Sequence, residues 1–371
     1  RANLYFYNSE ILLTIEVKVL DREPMLEKIL GEKQAKAISE LRGLRKMEVD
    51  EVFERLLYLG PEDFKISNFK KSKPVASFNP GALLEGDRLL LFPRLIFDYY
   101  KYVSSVGLAE LDMNDVLEGT VETPLGTRII LWPQKLWEFL GSEDPRVFKQ
   151  GDDVYILYTG KGYYIEGGEY RRRDVLALAK FYASWKLAGK GYFSIVGDKG
   201  IFVPVSNKDS AFIEMKNNES TILTRPEIEG IRVCWRGKAN LREMGIYEES
   251  LEPVLVHEKW ELKVGWSTNV VKVSSNEYLV GWHGVMLEDY SYRNGLALVD
   301  SEGKLLAVSN YLLSPRGLIE EYGDRALVIF GDGLLKYKEL LLWVGGVSDY
   351  AIGVFAVELD RVYEKLKWLK G

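Results

Sequence analysis

"NPGALLEGDRLLLFPR" (residues 79–94) reads as two short apolar strands joined at Gly86-Asp87. Gly and Asp tolerate the left-handed backbone of a tight hairpin turn, so the stretch predicts an antiparallel pair. The same texture returns in "EDPRVFKQGDDVYILYTG" (143–160), "KGIFVPVSNKDSAFIEMK" (199–216), "STNVVKVSSNEYLVGWHG" (267–284) and "RALVIFGDGLLKYKELLLWVGG" (325–346). A third apolar run follows four of them: "VGLAEL" (106–111), "VLALAK" (175–180), "NGLALVD" (294–300) and "IGVFAVEL" (352–359). After the third hairpin it is the less regular "IRVCW" (231–235).

Units recurring at roughly 55–70 residues are longer than common propeller repeats, as long connections between blades would make them. Five of them predict an all-β fold: a five-bladed β-propeller over residues 71–371, with blades of about four antiparallel strands. Regular strand–helix alternation is missing, which argues against a doubly wound α/β fold. "RRRDVLALAKFYASWKL" (171–187) is therefore read as strand and turn rather than helix.

Residues 1–70 have another character. "ILLTIEVKVL" (11–20) alternates apolar and polar positions over 13–19 and predicts a strand. Residues 24–58 are rich in Leu, Glu, Lys and Ala, and Pro24 suits a first helical turn. One or two helices are predicted there, broken near Gly43 and ended by Gly60-Pro61. The segment reads as an N-terminal strand with a helical extension.

Composition limits the function. Of 371 residues 47% are hydrophobic and 28% charged, as in a soluble globular protein, and the net charge of −6 argues against a general nucleic-acid binder. One cysteine, Cys234, rules out a disulfide framework, and no apolar run approaches the ~20 residues that span a bilayer. The chain reads as cytoplasmic, with no membrane partner. Only His257 and His283 are present, and neither HExxH nor C-x-x-C occurs, so no metal is expected.

In a propeller the innermost strands line one central funnel. Polar residues at the hairpin mouths then face one pocket although they lie far apart in sequence. Asn79, Asp144, Lys199 and Asn269 hold that place in four units. Arg94, Lys216 and His283 end the returning strands, and the seven are expected to converge.

At these residues the chain resembles glycoside hydrolase family 130, the mannoside phosphorylases and related β-mannosidases. The matching pieces are "FNPGALLEGDRLLLFPR", "VGLAEL", "EDPRVF…VYILYTG", "WELKVGWSTN" (260–269), "GWHGV" (281–285), "EEYG" (320–323) and "GGVSDYAIGV" (345–354), in family order over about residues 74–360. The resemblance implies a five-bladed propeller and an inverting phosphorolysis of β-mannosides that yields mannose 1-phosphate. It implies Asp144 as general acid, Asn79 and Arg94 on the sugar, Asp349 on sugar hydroxyls and His283 near phosphate. Of the two basic phosphate ligands, one falls on Lys216 and the other at Asp198-Lys199, where an aspartate would replace a cation. Glu320 and Trp282, inside matching pieces, join the substrate-binding set, with Tyr350 as a further stacking candidate. Inorganic phosphate is the co-substrate and no other cofactor is implied. Such N-terminal extensions often support homo-oligomers.

Glycoside cleavage normally needs two carboxyl groups, whereas phosphate is itself the nucleophile and needs cations instead of a base. Asp144 as sole acid, facing Lys199, Lys216 and His283, fits the second case. To act as an acid it needs a raised pKa, which burial and Glu143 favour and Arg146 opposes. Arg146 itself is read as a salt bridge locking the turn or as a substrate contact. The alternatives are a β-mannoside hydrolase, with Glu320 or Glu288 as base, and a non-catalytic carbohydrate-binding propeller.

Overall fold

A computed structural model of the chain describes residues 5–6 and 24–369. The strand expected over 13–19 lies outside the described residues. What is described is mainly antiparallel β-sheet, arranged as five meanders.

The first meander runs Ala76–Glu85, Arg88–Ile96, Ser104–Asp112 and Leu125–Leu131. The second runs Gly141–Gln150, Asp153–Glu166, Glu169–Phe181 and Leu187–Tyr192, so the 171–187 stretch is strand and turn as read. The third is Asn207–Lys216, Glu219–Ile228 and Cys234–Asn240, with Gly245–Tyr247 and Glu252–Leu255 along its outer strand. The fourth is Glu261–Lys272, Tyr278–Met286, Tyr292–Val299 and Leu305–Val308. The fifth is Ile329–Tyr337, Leu340–Val347 and Ala351–Glu358, and its outer strand is Glu54–Leu59.

That last pairing corrects the N-terminal reading. Within residues 24–58, all described, only Pro24–Leu41 is helical, a single helix, and Gly43 follows it with φ 102°. "ERLLYL" has helix-forming residues, yet it pairs with the open edge of Ala351–Glu358. Satisfying that edge outweighs intrinsic propensity. Phe64–Ile66 is likewise drawn in, parallel to Leu125–Leu131. The helix lies against the third meander: Leu26, Leu30 and Ala37 are buried, and the Gln34 amide donates to the Ile228 carbonyl at 3.1 Å.

The third hairpin is also displaced from its expected place. It is formed by Asn207–Lys216 and Glu219–Ile228 around Asn217-Asn218, both at positive φ. "KGIF" belongs to a small ribbon, Ser194–Gly197 with Gly200–Phe202, which joins the outer edge of the same sheet by parallel pairing with Gly245–Tyr247.

Each meander's first strand touches the next one's, and the fifth touches the first. Apolar clusters fill every gap. Phe92 and Val106 meet Ile156 and Tyr158; Leu157 and Leu176 meet Ile222; Trp235 meets Trp266 and Trp282. Leu296 meets Trp343 and Phe355, and Leu342 and Val344 close back onto Leu89 and Leu91. Alternating strand residues thus face two neighbours, which is why the strands read as almost continuously apolar.

All five first strands shift register at the same place, at Phe78/Gly81, Glu143/Arg146, Lys208/Ala211, Trp266/Val270 and Gly331/Gly333. A bulge leaves residues out of the ladder and re-aims their side chains. Asn79, Asp144 and Asp209 sit in these bulges at φ 42°, 54° and 54°. Asn and Asp tolerate that conformation best among non-glycine residues. Pro80 and Pro145 follow the first two, where no ladder N–H is needed.

Candidate active site

The bulges bring Asn79, Arg94 and Asp144 together, all buried. The Asn79 amide and the Arg94 Nη1 each donate to Asp144 Oδ1 at 2.9 Å. Arg94 Nη2 holds Glu143 at 2.9 Å and Nε donates to Ser104 Oγ at 2.8 Å, while the guanidinium lies 4.6 Å above the Phe78 ring. Arg94 is therefore fixed on all sides. Burial raises the Asp144 carboxyl, but Arg94, Arg146, the Asn79 hydrogen bond and Lys208 outweigh it and hold it below the usual range. The expected alternatives for this group thus resolve toward ionisation, because cations surround it.

Asp349 stands beside them at φ 50° on the loop after Leu340–Val347. Burial pushes its carboxyl up to about 6, against Arg94 and Arg325, with Asp144 and Glu143 adding to the rise. Its carboxyl therefore keeps a proton into the mildly acidic range.

Arg146 is a hub rather than a cleft residue. Its Nε donates to the Ser267 carbonyl at 2.7 Å and its Nη1 to the Asp144 carbonyl at 2.9 Å. Nη2 lies 2.9 Å from Asp332 and 3.3 Å from Asp209. It joins four of the five bulged strands, and of the two expected readings its contacts match the locking salt bridge. Sequence reasoning missed both aspartates. Asp209 is held far below the usual range: burial opposes this, and Arg225 and Arg146 prevail. Asp332 goes the other way, raised by burial and by Asp144 and Asp209 more than Arg146 and Arg94 lower it.

Beyond Asp209 lies a cluster of basic side chains. Arg225 Nε is 2.6 Å from Asp209 Oδ2, while its buried Nη1 has no hydrogen-bond partner. A methyl on Gly265 would sit 2.7 Å from both Arg225 Cδ and His283 Cε1, so these two side chains pack together over that glycine. His283 shares a hydrogen bond with Ser267 Oγ at 2.9 Å and stacks on Tyr292 at 5.4 Å. Burial first, then Arg225, Lys263 and Arg146, push its pKa well down despite Asp209, so the imidazole is neutral. It cannot supply the positive charge expected of it.

The Lys263 ammonium has no carboxylate partner among the described residues and stands 5.2 Å over the Tyr292 ring, with Arg325 4.7 Å from that same ring. Burial and repulsion from Arg225, outweighing Asp209, together with Arg232 and Arg325, hold the Lys263 pKa well below its ordinary value.

Four expected site residues lie elsewhere. Lys199 is exposed in the turn of the Ser194–Phe202 ribbon, and Lys216 is exposed at the far end of its strand, seven residues or about 20 Å from Asp209. Both were misplaced by the shifted third hairpin. Its equivalents of Asn79 and Arg94 are Asp209 and Arg225, and "LTRPEI" (223–228) beside "LFPRLI" (91–96) carried the signal. Trp282 is fully buried under Arg45, 4.3 Å from its guanidinium, and packs between meanders. Glu320 is buried against Arg55 at 3.1 Å and accepts from the Tyr58 hydroxyl at 2.7 Å, which ties down the N-terminal strand. Glu288 is exposed in a turn. Asn269 stays at its bulge, exchanging hydrogen bonds with the Leu334 backbone, and Tyr350 is exposed beside Asp349.

A buried carboxylate–arginine–amide cluster beside a group of cationic side chains is an arrangement suited to a polyhydroxylated substrate and an anion. The chain belongs to glycoside hydrolase family 130, enzymes that act on glycosidic bonds: the family model described as beta-1,4-mannooligosaccharide phosphorylase matches residues 43–369. Among its relatives, a beta-1,2-mannobiose phosphorylase of Thermoanaerobacter sp. strain X514 is 25% identical over 303 residues, 77% of this chain and 91% of the relative. A 1,2-beta-oligomannan phosphorylase of the same organism is 24% identical over 269 residues, 71% of this chain and 82% of the relative. The solved beta-1,2-mannobiose phosphorylase of Listeria innocua, in complex with beta-1,2-mannobiose, superposes with a TM-score of 0.63 at 17% identity, covering 83% of this chain and 96% of that one. No helix among the described residues is long and apolar enough to cross a membrane.

Proposed function

We propose that this protein cleaves β-mannosides by inverting phosphorolysis, on a five-bladed propeller closed by strand Glu54–Leu59. The cyclic contacts of the five first strands and the apolar clusters in every gap support the propeller. The catalytic domain then runs from about residue 50 onward, with helix Pro24–Leu41 as an appendage on its outside.

One observation carries the phosphate reading: beside a buried acid cluster, Lys263 has no carboxylate partner among the described residues, and Arg225, whose Nε pairs with Asp209, keeps a buried Nη1 donor without an acceptor. Burying unpaired positive charge is costly, and a bound anion relieves that cost. Orthophosphate is the anion that serves as nucleophile in this chemistry, with neutral His283 as a hydrogen-bond partner.

In this reaction Asn79 and Arg94 hold the mannosyl unit and Asp349 binds its hydroxyls. A phosphate oxygen attacks the anomeric carbon, the glycosidic C–O bond breaks, and Asp144 delivers a proton to the departing sugar oxygen. Asp144 is ionised in the free protein at neutral pH, so that proton enters with the substrates or from Asp349. Inversion of a β-mannoside gives α-mannose 1-phosphate, and no further cofactor is required. The hydrolytic alternative lacks support from its proposed bases, since Glu320 is engaged by Arg55 and Tyr58 and Glu288 lies in an exposed turn.

Lys263→Ala tests the reading. Loss of a charge-assisted contact should raise the KM for phosphate roughly ten- to a hundredfold and that for the mannoside far less. An unchanged phosphate KM would move the nucleophile's site elsewhere.

A further inference from the structure

The basic cluster behind Arg146 contains an anion of its own. Asp209 sits in the bulge of Asn207–Lys216 at φ 54°. Its Oδ1 is 3.3 Å from Arg146 Nη2, and its Oδ2 is 2.6 Å from Arg225 Nε and 3.9 Å from His283 Nε2. Arg225 comes from the partner strand of that hairpin, whereas Lys263 and His283 come from the two strands of the next one. Arg225 and His283 pack over Gly265, and His283 and Lys263 share the Tyr292 ring.

Hydrogen bonding in this cluster is incomplete in both directions. Arg225 Nε and Nη1 are buried donors without an acceptor, and the Lys263 ammonium has no carboxylate partner among the described residues. Asp209 Oδ2 is a buried acceptor without a donor, because it meets Arg225 Nε as an ion pair and not as a hydrogen bond. Burial opposes its charge, but Arg225 and Arg146 prevail and keep Asp209 ionised, so it can only accept. A ligand that completes the cluster therefore has to accept several hydrogen bonds and donate one. Buried polar groups left unmet are costly, which favours the ligand that meets both needs.

Orthophosphate near neutral pH carries unprotonated oxygens and at least one O–H, and arsenate shares that pattern. Sulfate has the shape and charge of the phosphate dianion but no proton to give. It would bring an oxygen lone pair against the Asp209 carboxylate. A site made of cations alone would take both dianions through charge; a carboxylate among the cations exchanges some affinity for discrimination.

We infer that Asp209 is the specificity-determining residue of the anion site: it accepts the O–H of a protonated oxyanion, and so admits phosphate and excludes sulfate. This rests on the phosphate reading above. The test is calorimetric titration of the protein, without mannoside, with phosphate, arsenate and sulfate in mildly alkaline buffer at constant ionic strength. Sulfate is also added to the phosphorolysis assay as a competitor. Wild type should bind phosphate and arsenate about ten- to a hundredfold more tightly than sulfate, the scale of one unmet buried hydrogen bond. Asp209→Asn keeps the side chain's size, suits φ 54° and leaves Arg146 paired with Asp332 at 2.9 Å. Its amide can donate, so sulfate should come within about threefold of phosphate and compete with it. Sulfate bound by wild type as tightly as phosphate, no binding of any of the three anions, or a preference unchanged in Asp209→Asn would overturn the assignment. The first two results need no variant and stand even where Asp209→Asn does not fold. Discrimination between the anions with no phosphorolysis would sink the proposed reaction and leave this inference standing; phosphorolysis with equal binding of phosphate and sulfate would do the reverse.

Discussion

Asp349→Asn should make the protein more stable at neutral pH, and only there. The free carboxyl titrates at 3.8, and in the folded protein burial beside Asp144 and Glu143 pushes it to about 6. The native state therefore holds a proton that the unfolded chain has released, so stability falls as pH rises between about 4 and 6. Above that window the cost is complete, and the rise in pKa corresponds to roughly 3 kcal/mol. Asparagine cannot ionise, keeps the size of the side chain and tolerates φ 50°. For a chain of this length the relief amounts to about 2–4 °C in Tm. Thermal unfolding of both proteins from pH 4 to 8 at constant ionic strength reads it out. Acid loss of stability from Asp144 and Asp209, whose pKa values are lowered, is common to both and cancels in the difference. The variant should match wild type near pH 4, gain through pH 6 and then plateau. A difference independent of pH, or a variant that loses stability as pH rises, would show that Arg94 and Arg325 outweigh burial and that Asp349 carries no proton.

Asp144→Asn should cut turnover by about 10²–10⁴-fold, the usual worth of a general acid, while a substrate whose leaving group needs no protonation is largely spared. Arg94 keeps Glu143 as a partner, so the accompanying loss of stability should stay near 1–3 kcal/mol by urea unfolding, short of the cost of a fully orphaned charge. A methyl on Gly346 would overlap the Asn79 side chain, so Gly346→Ala should displace Asn79 from Asp144 and lower kcat, with a destabilisation of about 1–3 kcal/mol. Lys199→Ala and Lys216→Ala, both exposed and distant from His283, should leave the KM for phosphate unchanged; a tenfold rise in either would restore them to the site.

The strands were legible because their pattern is local. The hairpin strands and the third runs are short apolar stretches bounded by turn residues, and reading them needs no tertiary information. Glu54–Leu59 was not, because only the open edge of Ala351–Glu358, some 300 residues away in the chain, makes "ERLLYL" a strand. The third unit slipped because "GIFVPV" mimics a first strand, yet its "GIF" belongs to the small ribbon and the rest is not strand. The grouping of Asn79, Arg94, Asp144 and Asp349 was legible, since each lies in a short motif at or near a bulge or turn. The basic cluster around Arg225 and Lys263 was not. Arg225 was hidden by the slipped register, and Lys263 stands in an ordinary strand whose neighbours say nothing of Tyr292 or Arg225. The protonation of Asp144 and His283 was out of reach as well, because it depends on cations from several different strands.

Product analysis tests the central claim most directly. Purified protein is incubated with β-1,2- and β-1,4-mannobiose, with and without orthophosphate, and the products are followed by phosphorus and proton NMR. Phosphorolysis predicts α-mannose 1-phosphate and free mannose in equal amounts, formed only when phosphate is present. Two equivalents of free mannose at the same rate without phosphate would contradict it.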